Sequence, residues 1–195
     1  MDVLTEQLMQ QLSQEGFSRI SRQIGADEHA IRSALSMVMP LLVSALSDNA
    51  ARPTGARSLQ QALTEDHDGS ILERVAAFLN NPQTADGAGI LRHVLGNRQP
   101  VVTQGVAQNT GLEADQVDDL LNIAAPLLMG ALGQRQQQAG FDTGGLAAFL
   151  QEQQQIDQRD NPDLMGMLHQ WLGLDSGGVN LDGVLGMVRN LLDNR

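Results

Sequence analysis

A proline stands inside a long apolar helical stripe twice in this chain, and both times its surroundings are nearly the same. GADEHAIRSALSMVMPLLVSAL begins at Gly25 and GLEADQVDDLLNIAAPLLMGAL begins at Gly111. Each opens on glycine, passes an acidic turn and closes on P-L-L-x-x-A-L. Glycine suits a left-handed turn between two helices. In the first copy Asp27 suits a helix cap, with Glu28 favourable in the first turn. Ile31, Ala34, Leu35, Val38, Leu42, Ala45 and Leu46 then fall at helical spacing. Pro40 lacks an N–H and crowds the preceding turn, so a kink or break is expected there and, by likeness, at Pro126.

The likeness extends beyond one phrase. Offset by 86 residues, Gly25 meets Gly111, Ile31 meets Val117, Leu35 meets Leu121 and Pro40 meets Pro126. Further on, Ile71, Leu72, Val75, Phe78 and Leu79 match Leu164, Met165, Leu168, Trp171 and Leu172. GILRHVLG from Gly89 resembles both GVLGMVRN from Gly183 and the stripe of residues 3–12. No segment alternates with period two. The expected fold is therefore all-α: a tandem duplication of a four-to-five-helix unit, with helix-turn-helix-like pairs and proline-bent apolar helices. The units are placed at 1–87 and 88–195. The glutamine-rich runs QRQQQAG from Gln134 and QEQQQIDQRDNP from Gln151 read as polar connections, and ARPTGAR from Ala51 and LDSGGVN from Leu174 read as loops.

The two Gly-to-PLLxxAL units, with the Gly/Leu/Met-rich C-terminal stretches, resemble a bacterial family catalogued as domain of unknown function 937, related to YidB-like proteins. The resemblance covers most of the chain. It implies an all-α fold and carries no catalytic residues to transfer.

Composition excludes several chemistries. There is no Cys, so no thiolate nucleophile, disulfide or zinc finger. There is no Lys, so no P-loop lysine and no Schiff base. The net charge of −11 disfavours phosphate backbones and anionic lipid. MDVLTEQLMQQLSQEG carries early acids, unlike a signal peptide. No stretch reads as a membrane span, and cytoplasmic residence is expected. His29, His67, His93 and His169 are scattered, without metal-ligand spacing. Glu65, Asp66 and Asp68 around His67 lack the EF-hand pattern and read as a solvated loop with a helix cap. Neither catalysis nor a cofactor is expected.

ISRQIGADEHAIRSAL and VAQNTGLEADQVDDLL share helix-turn-helix grammar. The residues that would enter a major groove include Asp27 and Glu28 in one copy and Glu113, Asp115, Asp118 and Asp119 in the other. Acids there oppose DNA binding, and only Arg19, Arg22 and Arg32 speak for it. The expected function is a protein-interaction or scaffold module. Its candidate surface is the C-terminal stripe of Leu164, Met165, Leu168, Trp171, Leu172 and Leu185, set to dock a protein partner or a second copy. The competing reading packs that stripe on its own unit, as Phe78 and Leu79 would pack in the first. Gly25, Pro40, Gly111 and Pro126 are structural. A further alternative is an enzyme or small-ligand site in the groove between the two units, favoured by a deep pocket joining His93 or His169 to carboxylates.

Overall fold

The computed structural model of the chain describes residues 3–172, with side chains through Met167. The described residues are helical throughout, without strands: α1 (Val3–Ile24), α2 (Glu28–Ala50), α3 (Pro53–Glu65), α4 (Ser70–Glu73), α5 (Val75–Asn80), α6 (Gly87–Val94), α7 (Gln99–Thr110), α8 (Ala114–Ala139), α9 (Thr143–Asp160) and α10 (Pro162–Leu172). Short 3-10 turns at Pro82–Thr84 and Gly96–Arg98 bracket α6.

Gly25 and Gly111 take φ of 74° and 75°. A side chain at such φ clashes with its own carbonyl, which is why glycine stands at both corners. Past each corner the exposed amides of a new helix need acceptors. The Asp27 carboxylate accepts from the His29 amide at 2.8 Å. At α8 the same task falls to a capping box, in which Glu113 and Gln116 satisfy each other's backbone amides.

α2 and α8 are the central helices. From Val38 to Ser47 and from Ile123 to Gly133 every residue is buried. Neither helix breaks at its proline: α2 runs on through Pro40 and α8 through Pro126. Of the expected kink or break, the break is overturned: both helices are continuous. Inside a core, packing on all faces outweighs one missing N–H, worth about 3 kcal/mol in an isolated helix. At Pro126 the freed carbonyl is that of Asn122, four residues earlier. Gly87 lies so close to it that an added Cβ would sit 2.2 Å from the oxygen. The approach places the Cα of Gly87 beside this carbonyl, whose usual donor the proline ring lacks.

α2 is also long and apolar enough to cross a membrane, contrary to the sequence reading. Its apolar window is 72 % buried within the protein, so core packing accounts for the run.

The glutamine runs are helix, not connections. The first forms the end of α8, and the second lies mostly within α9. Glutamine is a good helix former, and here its long amides work across the molecule. Gln154 accepts from Ser47 Oγ at 2.9 Å and donates to Ser44 Oγ at 2.8 Å, tying α9 to α2. The Val3 amide donates to Gln153 Oε1 at 2.8 Å, and Gln7 donates to Gln134 Oε1 at 2.8 Å. The ARPTGAR stretch is likewise mostly the first turns of α3, with Pro53 leading the helix, where proline is preorganised.

These ties cross the midpoint of the chain. α1 packs on α8, and α2 packs on α7, α8, α9 and α10. The buried apolar residues form one continuous core drawn from both halves.

Candidate functional site

An open cleft of about 1320 Å³ lies between α3 on one side and α4, α5 and α6 on the other. Its floor is apolar: Leu46 from α2, Met129 from α8, and Leu59, Phe78 and Val94 from the walls, all buried. Its rim is polar, with Ser58, Arg74, Asn81, Asp86 and His93. Asn49 pins α6 to the end of α2 by donating to the carbonyls of Val94 at 3.2 Å and His93 at 3.4 Å. The wall is thus fixed by residues far apart in the chain.

The loop between α3 and α4, Asp66 to Gly69, forms one end of the cleft. It lies directly on α8. A Cβ added to Gly133 would stand 1.7 Å from the His67 carbonyl oxygen, so only glycine admits the loop. Gln137 donates to the Asp68 carbonyl at 2.9 Å. Gly69 turns the chain with φ of 94° against Gln134. Just ahead of α4, whose N-cap position is Gly69, the Asp68 carboxylate accepts from the Ser70 amide at 2.9 Å. Hydrogen bonds from Ser70, backbone first, hold the Asp68 carboxyl below its ordinary pKa. His67 is half-buried, and burial pushes its pKa down while Asp66 and Asp68 partly oppose that. The sequence reading of this loop as solvated fits the exposed Asp66 and Asp68 and missed the packing of His67 and Gly69. The available signal was Gly130 and Gly133, two small residues on one face of α8.

The cleft also gathers His93. Its Nδ1 lies 2.8 Å from the Gly89 carbonyl oxygen. A carbonyl only accepts, so the neutral ring carries its proton on Nδ1. Asp86, on the same rim, is already engaged as the cap of α6, accepting from the Gly89 amide at 2.9 Å. Among the described residues no group of three or more His, Cys, Asp or Glu side chains is placed to hold a metal ion.

The residues of the C-terminal stripe fall elsewhere. Met165 is 2 % exposed and belongs to the core, and Leu164 is half-buried against it. Neither forms an open docking face: α10 packs on α2, α7 and α9. The side chains of Leu168, Trp171 and Leu172, and all of Leu185, lie outside the described residues. Of the structural four, Gly25 and Gly111 turn the two corners, and Pro40 and Pro126 are buried in the central helices.

The three arginines that favoured nucleic acid are engaged locally. Arg19 pairs with Glu15 at 2.6 Å and donates to Asn80 Oδ1 at 2.9 Å. Arg22 donates to the Ser18 carbonyl at 3.2 Å. Arg32 stacks over the Phe17 ring, 3.6 Å from its centre.

The family model described as bacterial protein of unknown function (DUF937) matches residues 6–135. No curated protein and no solved structure matches the chain.

Proposed function

The chain belongs to this bacterial family of unknown function, and on that premise we propose a protein-interaction module, without catalysis of its own, that receives an amphipathic helix in the cleft between α3 and α4–α6. The observation carrying the reading is the cleft itself, with an apolar floor and polar rim in about 1320 Å³. That exceeds the ~300–1,000 Å³ of ordinary small-molecule pockets and suits an elongated occupant. Helix-in-groove recognition needs the same arrangement: an apolar trough for one face and polar edges for the flanks. A cytoplasmic setting goes with the reading.

A tandem duplication gives the cleft an origin. In support of it, α1 kinks at Ser13, with φ 47° and ψ 173°. Residue 99, 86 positions on, opens α7 after the 3-10 turn that follows α6. The two halves of α1 thus correspond to α6 and α7. The copies differ in their fourth helix. α9 has 18 residues and lies along α2, sealed by Gln154, whereas its counterpart α3 has 13 and leaves the trough open beside it. One copy spends this space on packing and the other leaves it to a ligand.

Ala77 lines the cleft, and its side chain is exposed. Ala77→Trp is expected to fill the trough without disturbing the core. Binding of a fluorescein-labelled amphipathic Leu/Lys/Glu helical peptide, read by anisotropy, should weaken at least about tenfold, roughly 1.4 kcal/mol. Equal binding by the wild type and a folded Ala77→Trp variant overturns the reading.

A second reading has His93 in its favour. With Nδ1 tied to Gly89, the ring leaves Nε2 to meet a polar small molecule on the rim. That reading gains if His93→Gln abolishes binding of a small ligand while peptide binding is unchanged.

A further inference from the structure

The loop that ends the cleft joins its two walls. α3 leads into Asp66 and α4 leaves Gly69, so the loop's seat on α8 fixes where one wall stands relative to the other. The seat depends on close backbone approach: the His67 carbonyl against Gly133, Gly69 against Gln134, and the Asp68 carbonyl bonded to Gln137 at 2.9 Å. No apolar side chain of the loop takes part in these contacts: one is a hydrogen bond and two are close approaches at glycine, and the His67 side chain of the same loop is half-buried. We propose that residues 66–69 form a proton-sensitive latch on the cleft, seated while His67 is neutral and released when His67 gains a proton. The proposal rests on the cleft being the binding site.

The direction follows from the surroundings. In the seated loop, burial disfavours the imidazolium and holds the His67 pKa below its ordinary value. Once released, the ring returns to water and to its ordinary basicity. The released state therefore binds the proton better, and falling pH draws the latch open. Charged and titratable groups lie on several sides of His67. Asp66 and Asp68, on the same loop, pull the other way but do not overcome burial. Glu65 ends α3. Arg74, Asp86 and His93 line the same cleft, and α8 presents the neutral Gln134 and Gln137 to the loop. His93, the other imidazole lining the cleft, serves as the control.

Hydrogen exchange tests the latch on the full chain without ligand. The reporters are the Asp66 and His67 amides, both bonded to the Ala62 carbonyl at 3.0 Å, and the Leu72 amide, bonded to the Gly69 carbonyl at 3.0 Å. Corrected for intrinsic exchange, their protection is expected to fall between pH 7.5 and 5.5. One proton sets the limit at about tenfold per pH unit. His67→Gln, or His67→Phe if glutamine unseats the loop, should remove the dependence, and His93→Gln should keep it. A pH-independent wild type, or the same dependence in both His67 variants, overturns the latch. The labelled amphipathic peptide should bind severalfold more weakly at pH 5.5 than at pH 7.5, and equally at both in the His67 variant. Equal wild-type affinity at both pH values, with a latch that opens, overturns the regulation. Peptide that binds at neither pH, with a latch that opens, overturns the assignment of the cleft to a helix and leaves the latch standing.

Discussion

Leu42→Ala is expected to destabilise the whole protein by about 3 kcal/mol, within the ~2–5 kcal/mol range for a leucine truncated in a core that relaxes only in part. Leu42 is 1 % exposed on α2, where helices from both halves of the chain converge. A single domain has a total stability of about 5–15 kcal/mol, so this loss removes a large share of it. Urea denaturation followed by circular dichroism should show one transition, shifted to lower urea, with its slope unchanged. Leu128→Ala, at the matching place on α8 and also 1 % exposed, should shift the same single transition. Two transitions, only one of them moved by each variant, would mean that the halves hold separate cores.

Gly133→Ala has the second large effect, and opposing terms decide its sign. Alanine favours a helix interior over glycine by about 1 kcal/mol. Against this, the new Cβ would stand 1.7 Å from the His67 carbonyl oxygen, with the carbonyl carbon at 2.9 Å. Backbone cannot swing aside as a side-chain tip can, so the loop must leave its seat. Overpacking of this kind costs about 1–3 kcal/mol or more, and the seat's hydrogen bonds go with it. A net loss of about 2 kcal/mol is expected, together with loss of exchange protection at Asp66 and His67. Gly130→Ala makes the comparison. Its Cβ would meet the Ile71 Cγ2 methyl at 2.3 Å, and a methyl can turn away. That variant should cost clearly less and leave the loop seated. Equal effects of the two, measured by thermal melting, would contradict the close backbone approach.

Much of the fold was legible because it is written locally. Helical spacing gave the apolar faces, glycine marked both corners, and Asp27 announced its own cap. The errors came where tertiary packing overrides local preference. Pro40 and Pro126 break helices in water, yet α2 and α8 are enclosed and run on. The glutamine runs are polar, yet Gln153 is 2 % exposed, because α9 needs it against α1. Met165 belonged to the stripe chosen as a docking face and is core instead. The cleft was legible only as an alternative, a groove holding His93; its lining was not. Its walls come from α3 to α6, but its floor needs Leu46 and Met129 side by side, and its end needs Gly133 beneath His67. No spacing within the sequence states those pairings.

The central claim is that the cleft between α3 and α4–α6 holds an amphipathic helix. The most direct measurement is an amide chemical-shift map of the full chain during titration with an unlabelled amphipathic Leu/Lys/Glu helical peptide. The expected result is a cluster of shifts at Ser58, Ala62, Ile71, Ala77 and Ile90, which line the cleft on both walls, with α7 and α10 unmoved. Shifts confined to α10, or none at saturating peptide, would contradict it.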